Sequence, residues 1–488
     1  MNNNRRDFLK LSALAGMGVA APGILSGCAS ANQQAPATSD EDHVRQLAMK
    51  QHKQRFNMSG YAAPKLETVR AGFIGLGNRG PVHSTQMSRL EGVEIKALCD
   101  LRPERVAAAN KKIGTGHNPV FYSGGEEEWK KLCDRDDIDL VYISTPWHLH
   151  TPMAVYAMNQ GKHVCLEVPA ANNLDEAWEL VETSERMRKH CMMAENACYL
   201  FWDLLILNMV RQGFFGEIIH TEGAYVHDLL DYNFDKDNLH DMWRLKENIG
   251  RNGNLYPTHG LGPICQVLNI NRGDKMEYLV SVSGNDFMMG DMAAKLAATD
   301  AFYQPYVNKP YRGNMNITTI RTNKGKTMML QHDVSSPRVK TLINLVSGTK
   351  GTAMEYPLPG RISTGHKGWL SDKEIRELEE KYQPPIIRKI GEMAKQIGGH
   401  GGIDFLMNWH TVDCLRNGLP LSQDVYDAAL WSAVGPLSEW SVKNRSASID
   451  VPDFTGGSWQ RNEPIDLELA KGANTKILNN KKMDIKEY

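Results

Sequence analysis

The segment from Gly75 to Gly80 reads Gly-Leu-Gly-Asn-Arg-Gly, a glycine spacing that lets a dinucleotide pyrophosphate approach the backbone at the start of a helix. Asp100 follows 20 residues after the last of these glycines, at the end of a second apolar run. A carboxylate in that place accepts hydrogen bonds from the ribose diol of NAD, while the nearby Arg102 and Arg105 leave NADP open. The segment therefore predicts a dinucleotide site that favours NAD.

Several other side chains are candidates for acid–base chemistry. His259 follows Pro257 in a glycine-rich segment that we interpret as a loop, where an imidazole can be held beside a substrate. Glu167 ends a short apolar run and is a candidate for the same site. His148 and His150 could suggest a metal, but two histidines at this spacing without a third ligand favour contacts with the cofactor. We therefore predict no metal site.

Alternating strands and helices must position these residues. The apolar patterns predict strands at 69–74, 93–99, 138–144, 163–166 and 191–196, and helices at 102–112, 153–160 and 174–189. Strands that alternate with helices indicate a doubly wound parallel sheet of the Rossmann type, which binds its ligands at the carboxyl ends of the strands. Asp100 and Glu167 follow such strand ends, so the fold class and the candidate site agree.

The second half of the chain has a different pattern. Strands are predicted at 217–226, 278–283, 316–322, 327–333 and 342–348, and helices at 405–417 and 424–443. The fold class is therefore α/β, with an N-terminal Rossmann doubly wound parallel sheet and a C-terminal α+β domain with a mixed or antiparallel sheet. The predicted organisation is a signal peptide at 1–27, a tether and helix at 28–66, an NAD-binding domain at 67–198, a substrate-binding domain at 199–450 and an extension at 451–488.

Charge and the first residues limit the function classes. The 488-residue chain has 56 Lys and Arg against 57 Asp and Glu, so it lacks the basic surplus that phosphate contacts with nucleic acid require. Arg5-Arg6 followed by Asp-Phe-Leu-Lys matches a twin-arginine export signal, and Leu25 to Cys28 resembles a lipoprotein processing site. We expect export by the twin-arginine route and a lipid on Cys28, which anchors the chain to the cell envelope at the periplasm or outer membrane.

The first half resembles the Gfo/Idh/MocA oxidoreductase family, on the glycine segment, on Ser144–His150 and on Lys162–Pro169. Sugar dehydrogenases of that family carry Glu-Lys-Pro where this chain has Val168 at the middle position. They also carry an Asp four residues before a catalytic His, where this chain has Leu255. Both departures match glycoside hydrolase family 109, the NAD-dependent α-N-acetylgalactosaminidases. That resemblance spans roughly residues 66–450 and rests on Gly77–Gly80, Trp147–His150, Glu167–Pro169, Glu195-Asn196 and above all Asn254–Pro263.

The resemblance implies a glycosidase in which NAD stays bound, the sugar is oxidised transiently at carbon 3, the aglycone leaves by elimination, water adds, and the sugar is reduced again. The cofactor contacts that it implies are Gly75, Gly77, Asn78, Arg79, Gly80, Asp100, Trp147, His148, Leu149, His150, Glu167, Val168, Asn196, Tyr256, Pro257, Thr258 and His259. It implies catalytic roles for His259, Tyr256 and Glu167, with Tyr199 as a candidate second base. It implies sugar contacts for Tyr225, Arg244 and Tyr256.

Two positions and two alternative functions stay open. The family usually places a substrate-binding Tyr where this chain has Val339-Lys340, which leaves the sugar and its linkage undecided. His400, in a glycine-rich segment, either borders the site or lies in a connector. An exported NAD(P)-dependent sugar oxidoreductase and a non-catalytic glycan-binding lipoprotein are the alternatives. We expect a small-molecule or glycan substrate as partner, and the sequence leaves homo-oligomerisation open.

Overall fold

The computed structural model describes residues 40–466, 468–479 and 481–483. The predicted signal peptide and Cys28 lie outside these residues, so export and lipidation stay predictions. The described part begins with helix α1 (Asp40–Ala48). None of its helices combines the length and the apolar character needed to span a membrane.

The first sheet is parallel throughout and has the strand order β3-β2-β1-β4-β5-β6. Its strands are β1 (Val69–Ile74), β2 (Val93–Asp100), β3 (Val120–Ser123), β4 (Leu140–Ile143), β5 (His163–Leu166) and β6 (Cys191–Met193). The helices between them are α2 (Gly80–Met87), α3 (Pro103–Asn110), α4 (Glu128–Cys133), α5 (His150–Asn159) and α6 (Leu174–Met187). The strand order reverses between β1 and β4, and ligands of doubly wound sheets bind at such a reversal.

The second sheet is mixed and has the strand order β13-β12-β11-β7-β10-β9-β8-β14. Its strands are β7 (Ile218–Val226), β8 (Met276–Ser283), β9 (Asn316–Thr322), β10 (Thr327–Asp333), β11 (Leu345–Gly348), β12 (Thr352–Met354), β13 (Arg361–Ser363) and β14 (Ile449–Asp450). β7 and β10 pair in parallel, whereas the other neighbouring strands run antiparallel. β7 ends beside the first sheet's ligand-binding edge, because its residue Tyr225 lines the same cleft as Gly75.

Nine helices follow in the described second half of the chain, and several of them pack on the two sheets. They are α7 (Phe201–Arg211), α8 (Leu230–Phe234), α9 (Trp243–Glu247), α10 (Thr258–Leu268), α11 (Met289–Ala297), α12 (Asp372–Tyr382), α13 (Glu392–Ile397), α14 (Ile403–Asn417) and α15 (Val425–Lys443). α10 lies directly on β7, where a side chain on Gly223 or Gly260 would collide with the backbone of the other segment. This close approach brings the start of α10 next to Tyr225.

The predicted fold class is confirmed, and the two sheets have the predicted parallel and mixed pairing. β1, β5, β9 and β10 have the predicted bounds. The prediction that His259 lies in a loop is wrong, since it occupies the first turn of α10. The glycine-rich sequence predicts irregular chain there, but Gly260 and Gly262 lie where helix α10 packs against β7 and Glu195 and leaves no room for side chains. The strand β3 and the helices α4 and α7 were not predicted.

Candidate active site

A cleft of about 1160 Å³ lies between the carboxyl edge of the first sheet and the start of the second. Of the residues that the sequence proposes for the site, the cleft is lined by Gly75, Gly77, Asn78, Arg79, Asp100, Trp147, His148, Leu149, His150, Glu167, Val168, Asn196, Tyr225, Arg244, Tyr256 and His259. His400 and Lys340, which the sequence left undecided, also line it. One cleft therefore holds both the proposed nucleotide residues and the proposed sugar residues.

The glycine segment has the shape that a dinucleotide needs. Gly75 has φ +86°, and a side chain there would meet the Ser144 backbone at 2.6 Å. A side chain on Gly80 would collide with the Gly75 carbonyl oxygen, so the turn into α2 closes tightly. In contrast, a side chain on Gly77 would point into open space that lies inside the cleft. Backbone and cleft thus leave room for a pyrophosphate at the start of α2, and the residues present fit NAD.

Asp100 is the last residue of β2 and lines the cleft. Its carboxylate accepts the backbone N–H of Leu76 at 2.6 Å and that of Arg102 at 2.9 Å. These two bonds hold the carboxylate beside the glycine turn, and the oxygens keep capacity for a ribose diol because each carboxylate oxygen accepts more than one hydrogen bond.

Arg79 is the centre of a buried ion network at the base of the cleft. Its guanidinium contacts Glu167 Oε1 at 3.1 Å and Asp404 Oδ1 at 2.9 Å. His83 Nε2 lies 2.7 Å from Glu167, and His400 Nδ1 lies 2.9 Å from Asp404. Burial raises the pKa of Glu167, but Arg79 and His83 outweigh it and bring the pKa to about 2. Burial also opposes ionisation of Asp404, yet Arg79 and His400 hold its pKa well below the ordinary range.

This network joins the two halves of the chain. Arg79 and Glu167 lie at the edge of the first sheet, whereas Asp404 lies in the first turn of α14. Asn196, at the end of the first half, donates to Asp404 Oδ1 at 2.6 Å. Glu167 is an ionised carboxylate of low basicity, so its geometry favours an anchoring role over that of a proton acceptor.

Aromatic side chains form the wall on the other side. The rings of Trp147 and Tyr256 are stacked at 5.4 Å and 14°, and Tyr225 meets Tyr256 edge-on at 4.7 Å. The Arg244 guanidinium lies 4.7 Å from the centre of the Tyr256 ring and 5.5 Å from that of Trp147. A planar ring and a cationic fork side by side are suited to hold the faces and hydroxyls of a sugar.

The titration behaviour of this wall follows from burial and from Arg244. Burial raises the pKa of Tyr256 well above its ordinary value, although Arg244 lowers it. Burial likewise raises the pKa of Tyr225 against the same cation. His227 Nδ1 lies 3.3 Å from the Tyr225 hydroxyl, and burial together with Lys340 and Arg244 lowers the pKa of His227 to about 4. His227 is therefore a neutral imidazole at pH 7.

His259 is the imidazole that bridges the aromatic wall and the interior. Its ring lies 5.0 Å from that of Tyr256 and 5.3 Å from that of Tyr225. Its Nδ1 lies 2.5 Å from Glu195 Oε1, a fully buried carboxylate that follows β6. Nε2 is the ring nitrogen left to exchange a proton with a molecule in the cleft.

Four proposed residues do not line the cleft. Tyr199 is buried elsewhere, with its hydroxyl 2.5 Å from Ser422 and 3.0 Å from His410, and burial raises its pKa. Its assignment as second base is therefore corrected, because the hydroxyl points away from the substrate space. Gly80, Pro257 and Thr258 shape the backbone beside the cleft without lining it.

Sequence reasoning missed several residues that the structure brings into the site. Glu195 and Asp404 touch His259 and Arg79 from distant parts of the chain, and His227 reaches Tyr225. His227 carried a local signal, since it lies two residues after Tyr225, and Glu195 stands in the Glu195-Asn196 segment of the family resemblance, where it was given no role. His150 lines the cleft, but both of its ring nitrogens lie within 2.8 Å of backbone carbonyl oxygens. Within the described part of the chain, no three His, Cys, Asp or Glu side chains are arranged to hold a metal ion.

Two family models match the chain. The model of the glycosyl hydrolase 109 C-terminal domain matches residues 199–461. The model of the oxidoreductase family with an NAD-binding Rossmann fold matches residues 69–195. The glycine turn, Asp100 and Glu167 fall in the second match, and Tyr225, Arg244, Tyr256 and His259 fall in the first.

Curated relatives match along most of the chain. A glycosyl hydrolase family 109 protein of Shewanella pealeana is 42% identical over 475 residues, which cover 96% of this chain and 99% of the relative. An alpha-N-acetylgalactosaminidase of Bacteroides fragilis is 47% identical over 409 residues, which cover 82% of this chain and 95% of the relative. These values show common family membership across both sheets.

Solved structures share the fold at low identity. An NAD-binding oxidoreductase from Klebsiella pneumoniae has a TM-score of 0.61 and 19% identity, over 79% of this chain and all of that one. A levoglucosan dehydrogenase in complex with NADH and levoglucosan has a TM-score of 0.60 and 18% identity, over the same shares. At these identities the likeness shows the two-sheet architecture alone.

Proposed function

The chain belongs to glycosyl hydrolase family 109, and on that premise we propose that it releases terminal α-linked N-acetylgalactosamine by NAD-mediated transient oxidation of the sugar at carbon 3. The observation that carries the proposal is the single cleft in which a dinucleotide turn faces Tyr225, Arg244, Tyr256 and His259. The relative named alpha-N-acetylgalactosaminidase supports the choice of sugar.

Glu167, the carboxylate bound to Arg79 in the cleft, is not suited to the usual route of glycoside hydrolysis. That route needs one carboxyl group that stays protonated and a second on the other side of the glycosidic bond. Glu167 has a pKa of about 2 and is fixed by Arg79 and His83, so it cannot serve as the protonated acid at neutral pH. A redox route avoids this requirement, because it makes the hydrogen at carbon 2 acidic and removes the aglycone by elimination.

The residues that would hold NAD are Gly75, Gly77, Asn78, Asp100 and the segment Trp147–His150. Bound NAD would supply the two-electron oxidation at carbon 3 and the matching reduction. Arg79 would keep Glu167 and Asp404 ionised beneath it, and Trp147 with Tyr256 would close one face of the sugar. These residues bind and orient, so they set the geometry rather than the proton transfers.

Two proton transfers then fall to the chain. His259 takes the proton of the hydroxyl at carbon 3 on its Nε2 and later returns it. We assign the transfer at carbon 2 to Tyr225, which lines the cleft and whose phenolate Arg244 favours against the effect of burial, while the His227 imidazole at 3.3 Å orients the phenol oxygen. Tyr225 and His227 thus take the place that the sequence analysis gave to Tyr199.

The experiment uses the purified full chain without added cofactor and p-nitrophenyl α-N-acetylgalactosaminide as substrate. We expect release of p-nitrophenol without net NADH, and a loss of roughly 100-fold or more in kcat for His259→Gln. His220→Gln is the matched control, because His220 lies on β7 and contacts Thr327 away from the cleft. Absence of release together with NADH formation from free sugars would replace the proposal with a sugar dehydrogenase.

We also propose that the chain acts outside the cytoplasm, anchored by a lipid on Cys28, on the basis of Arg5-Arg6 and the Leu25–Cys28 segment. Cys28→Ala should move the protein from the membrane fraction to the soluble periplasmic fraction, while Arg5→Lys with Arg6→Lys should keep it in the cytoplasm. Export of the doubly substituted chain at the original level would contradict the twin-arginine route.

A further inference from the structure

Glu195 holds His259 from the opposite half of the molecule. It follows β6 in the first sheet, and its Oε1 accepts the backbone N–H of Ala197 at 3.0 Å and contacts His259 Nδ1 at 2.5 Å. The side chain of Glu195 is fully buried, whereas 17% of the His259 side chain is exposed toward the cleft. The carboxylate therefore lies behind the imidazole as seen from the substrate space.

The chain offers His259 no nearer carboxylate. The five residues before it are Asn254, Leu255, Tyr256, Pro257 and Thr258, and none is acidic. In the described part of the chain, His259 is the one ionisable side chain in a salt bridge with Glu195, and no Lys or Arg is paired with it. A buried carboxylate without a cation is costly unless a neighbour donates a proton to it or carries the opposite charge.

The surroundings fix this carboxylate in place. Gln423 donates to the Glu195 backbone carbonyl at 3.0 Å, and a side chain on Gly262 would press on the Glu195 Cγ at 3.0 Å. The second oxygen, Oε2, is buried and has no hydrogen-bond partner among the described residues. All of the polar bonding of the carboxylate is thus on the oxygen that faces His259 and Ala197.

We propose that Glu195 is the positioning residue of the active-site imidazole: it keeps the proton of neutral His259 on Nδ1, leaves Nε2 free to accept the substrate's proton, and stabilises the imidazolium that results. The role in catalysis rests on the proposed function, because the proton comes from the hydroxyl at carbon 3. The proton moves from that oxygen to Nε2 and back, and the proton on Nδ1 stays with the imidazole throughout. A carboxylate behind a histidine base works in this way in hydrolytic triads.

The test compares Glu195→Gln with Glu185→Gln in the NAD-loaded full chain. Glu185 is the matched control, since it is equally buried and its Oε1 lies 2.8 Å from His52 Nε2. Unlike His259, His52 does not line the cleft, and neither does Glu185. With p-nitrophenyl α-N-acetylgalactosaminide, Glu195→Gln should lower kcat by roughly 100-fold or more with KM within about twofold, while Glu185→Gln leaves kcat unchanged. Glu195→Asp should restore part of the loss.

A second readout does not depend on activity. ¹⁵N NMR of histidine-labelled protein, with the His259 signals identified by their loss in His259→Gln, should show the Nδ1-protonated form in the original chain and a shifted tautomer ratio in Glu195→Gln. An unchanged ratio, or a kcat within about threefold of the original, would overturn the proposal. If the ratio shifts but the original chain releases no sugar, the proposed function fails and the positioning role stands.

Discussion

Two buried clusters in this molecule each set one arginine between two carboxylates, and they differ in what surrounds them. Arg272 contacts Asp424 at 2.7 Å and Asp427 at 2.6 Å at the start of α15. Arg79 contacts Glu167 and Asp404 in the cleft. The Arg272 side chain is 7% exposed, against 27% for Arg79, so the first cluster is sealed and the second opens to a ligand.

The carboxylates of the two clusters respond differently to burial. Burial and the neighbouring Asp427 raise the pKa of Asp424, although Arg272 lowers it. In the cleft, Glu167 and Asp404 keep pKa values below the ordinary range, because His83 and His400 add to the effect of Arg79. The clusters thus differ in their cations: Arg272 and backbone N–H groups lower the pKa of Asp424, whereas in the cleft a histidine adds to Arg79 at each carboxylate.

The sealed cluster should matter chiefly for stability. Asp424 caps α15 by accepting the N–H of Tyr426, and Arg272 ties that cap to the segment after α10. Arg272→Met should lower the free energy of unfolding by about 3–5 kcal/mol, because it leaves two buried carboxylates without their cation. Urea unfolding measures this, and kcat per folded molecule should stay unchanged. A loss of kcat equal to that of an Arg79 variant would remove the distinction between the clusters.

The open cluster should matter chiefly for activity. Arg79→Met leaves Glu167 and Asp404 beside the proposed NAD site with only histidines to balance them. We expect kcat with the nitrophenyl substrate to fall by roughly 100-fold, since small displacements of binding groups cost that much, together with loss of co-purifying NAD. NAD released on denaturation, counted per chain, provides the second measurement. Full activity with full NAD content would show that Arg79 is structural like Arg272.

Because the pKa of Asp424 is raised, the stability that the sealed cluster contributes should depend on pH. A carboxyl group whose folded pKa lies above its unfolded value contributes stability below the unfolded pKa and loses it as pH rises through the folded pKa. The folded value is about 6, so the loss falls between about pH 4 and pH 6. Asp424→Asn keeps the capping oxygen and should gain on the order of 1 kcal/mol relative to the original chain across that interval. If the free energies of unfolding of the two proteins change in parallel with pH across that interval, the raised pKa of Asp424 is contradicted.

The smallest expected effect concerns the cations around His227. Burial first, then Lys340 and Arg244, lower its pKa to about 4, so activity that needs neutral His227 should fall only as pH drops through that value. Lys340→Met removes one repelling charge and should raise this pKa, which moves the acidic limb of the kcat profile to higher pH by less than about one unit. Lys324→Met, in the exposed turn between β9 and β10, should leave the limb unmoved. If the acidic limb of the kcat profile does not move in Lys340→Met, the protonation of His227 does not control activity.

The sequence predicted the fold and most of the cleft because those features are local. The period-two patterns of β9 and β10 and the apolar runs of β1 and β5 are visible in short windows, and Asp100 and Glu167 follow strand ends. A parallel sheet then brings strand ends to one edge whatever the rest of the chain does.

The contacts that organise the site could not be predicted in the same way. Arg79 meets Asp404 across 325 positions and His259 meets Glu195 across 64, and no local pattern links such pairs. Tyr199 was misplaced because the direction of a buried hydroxyl depends on tertiary packing against His410 and Ser422. The sequence places His259 in a loop because glycines that allow a helix to approach a strand cannot be told from glycines of a turn in the sequence.

The most direct test of the account is the fate of hydrogen at carbons 2 and 3 of the released sugar. The purified chain, without added cofactor, is incubated in deuterated water with p-nitrophenyl α-N-acetylgalactosaminide, and the sugar is examined by NMR and mass spectrometry. Transient oxidation and elimination predict deuterium at carbon 2 and none at carbon 3, because only the carbon 2 proton passes through exchangeable groups. Sugar released with hydrogen retained at both carbons, and without an absorbance transient at 340 nm, would contradict the redox route.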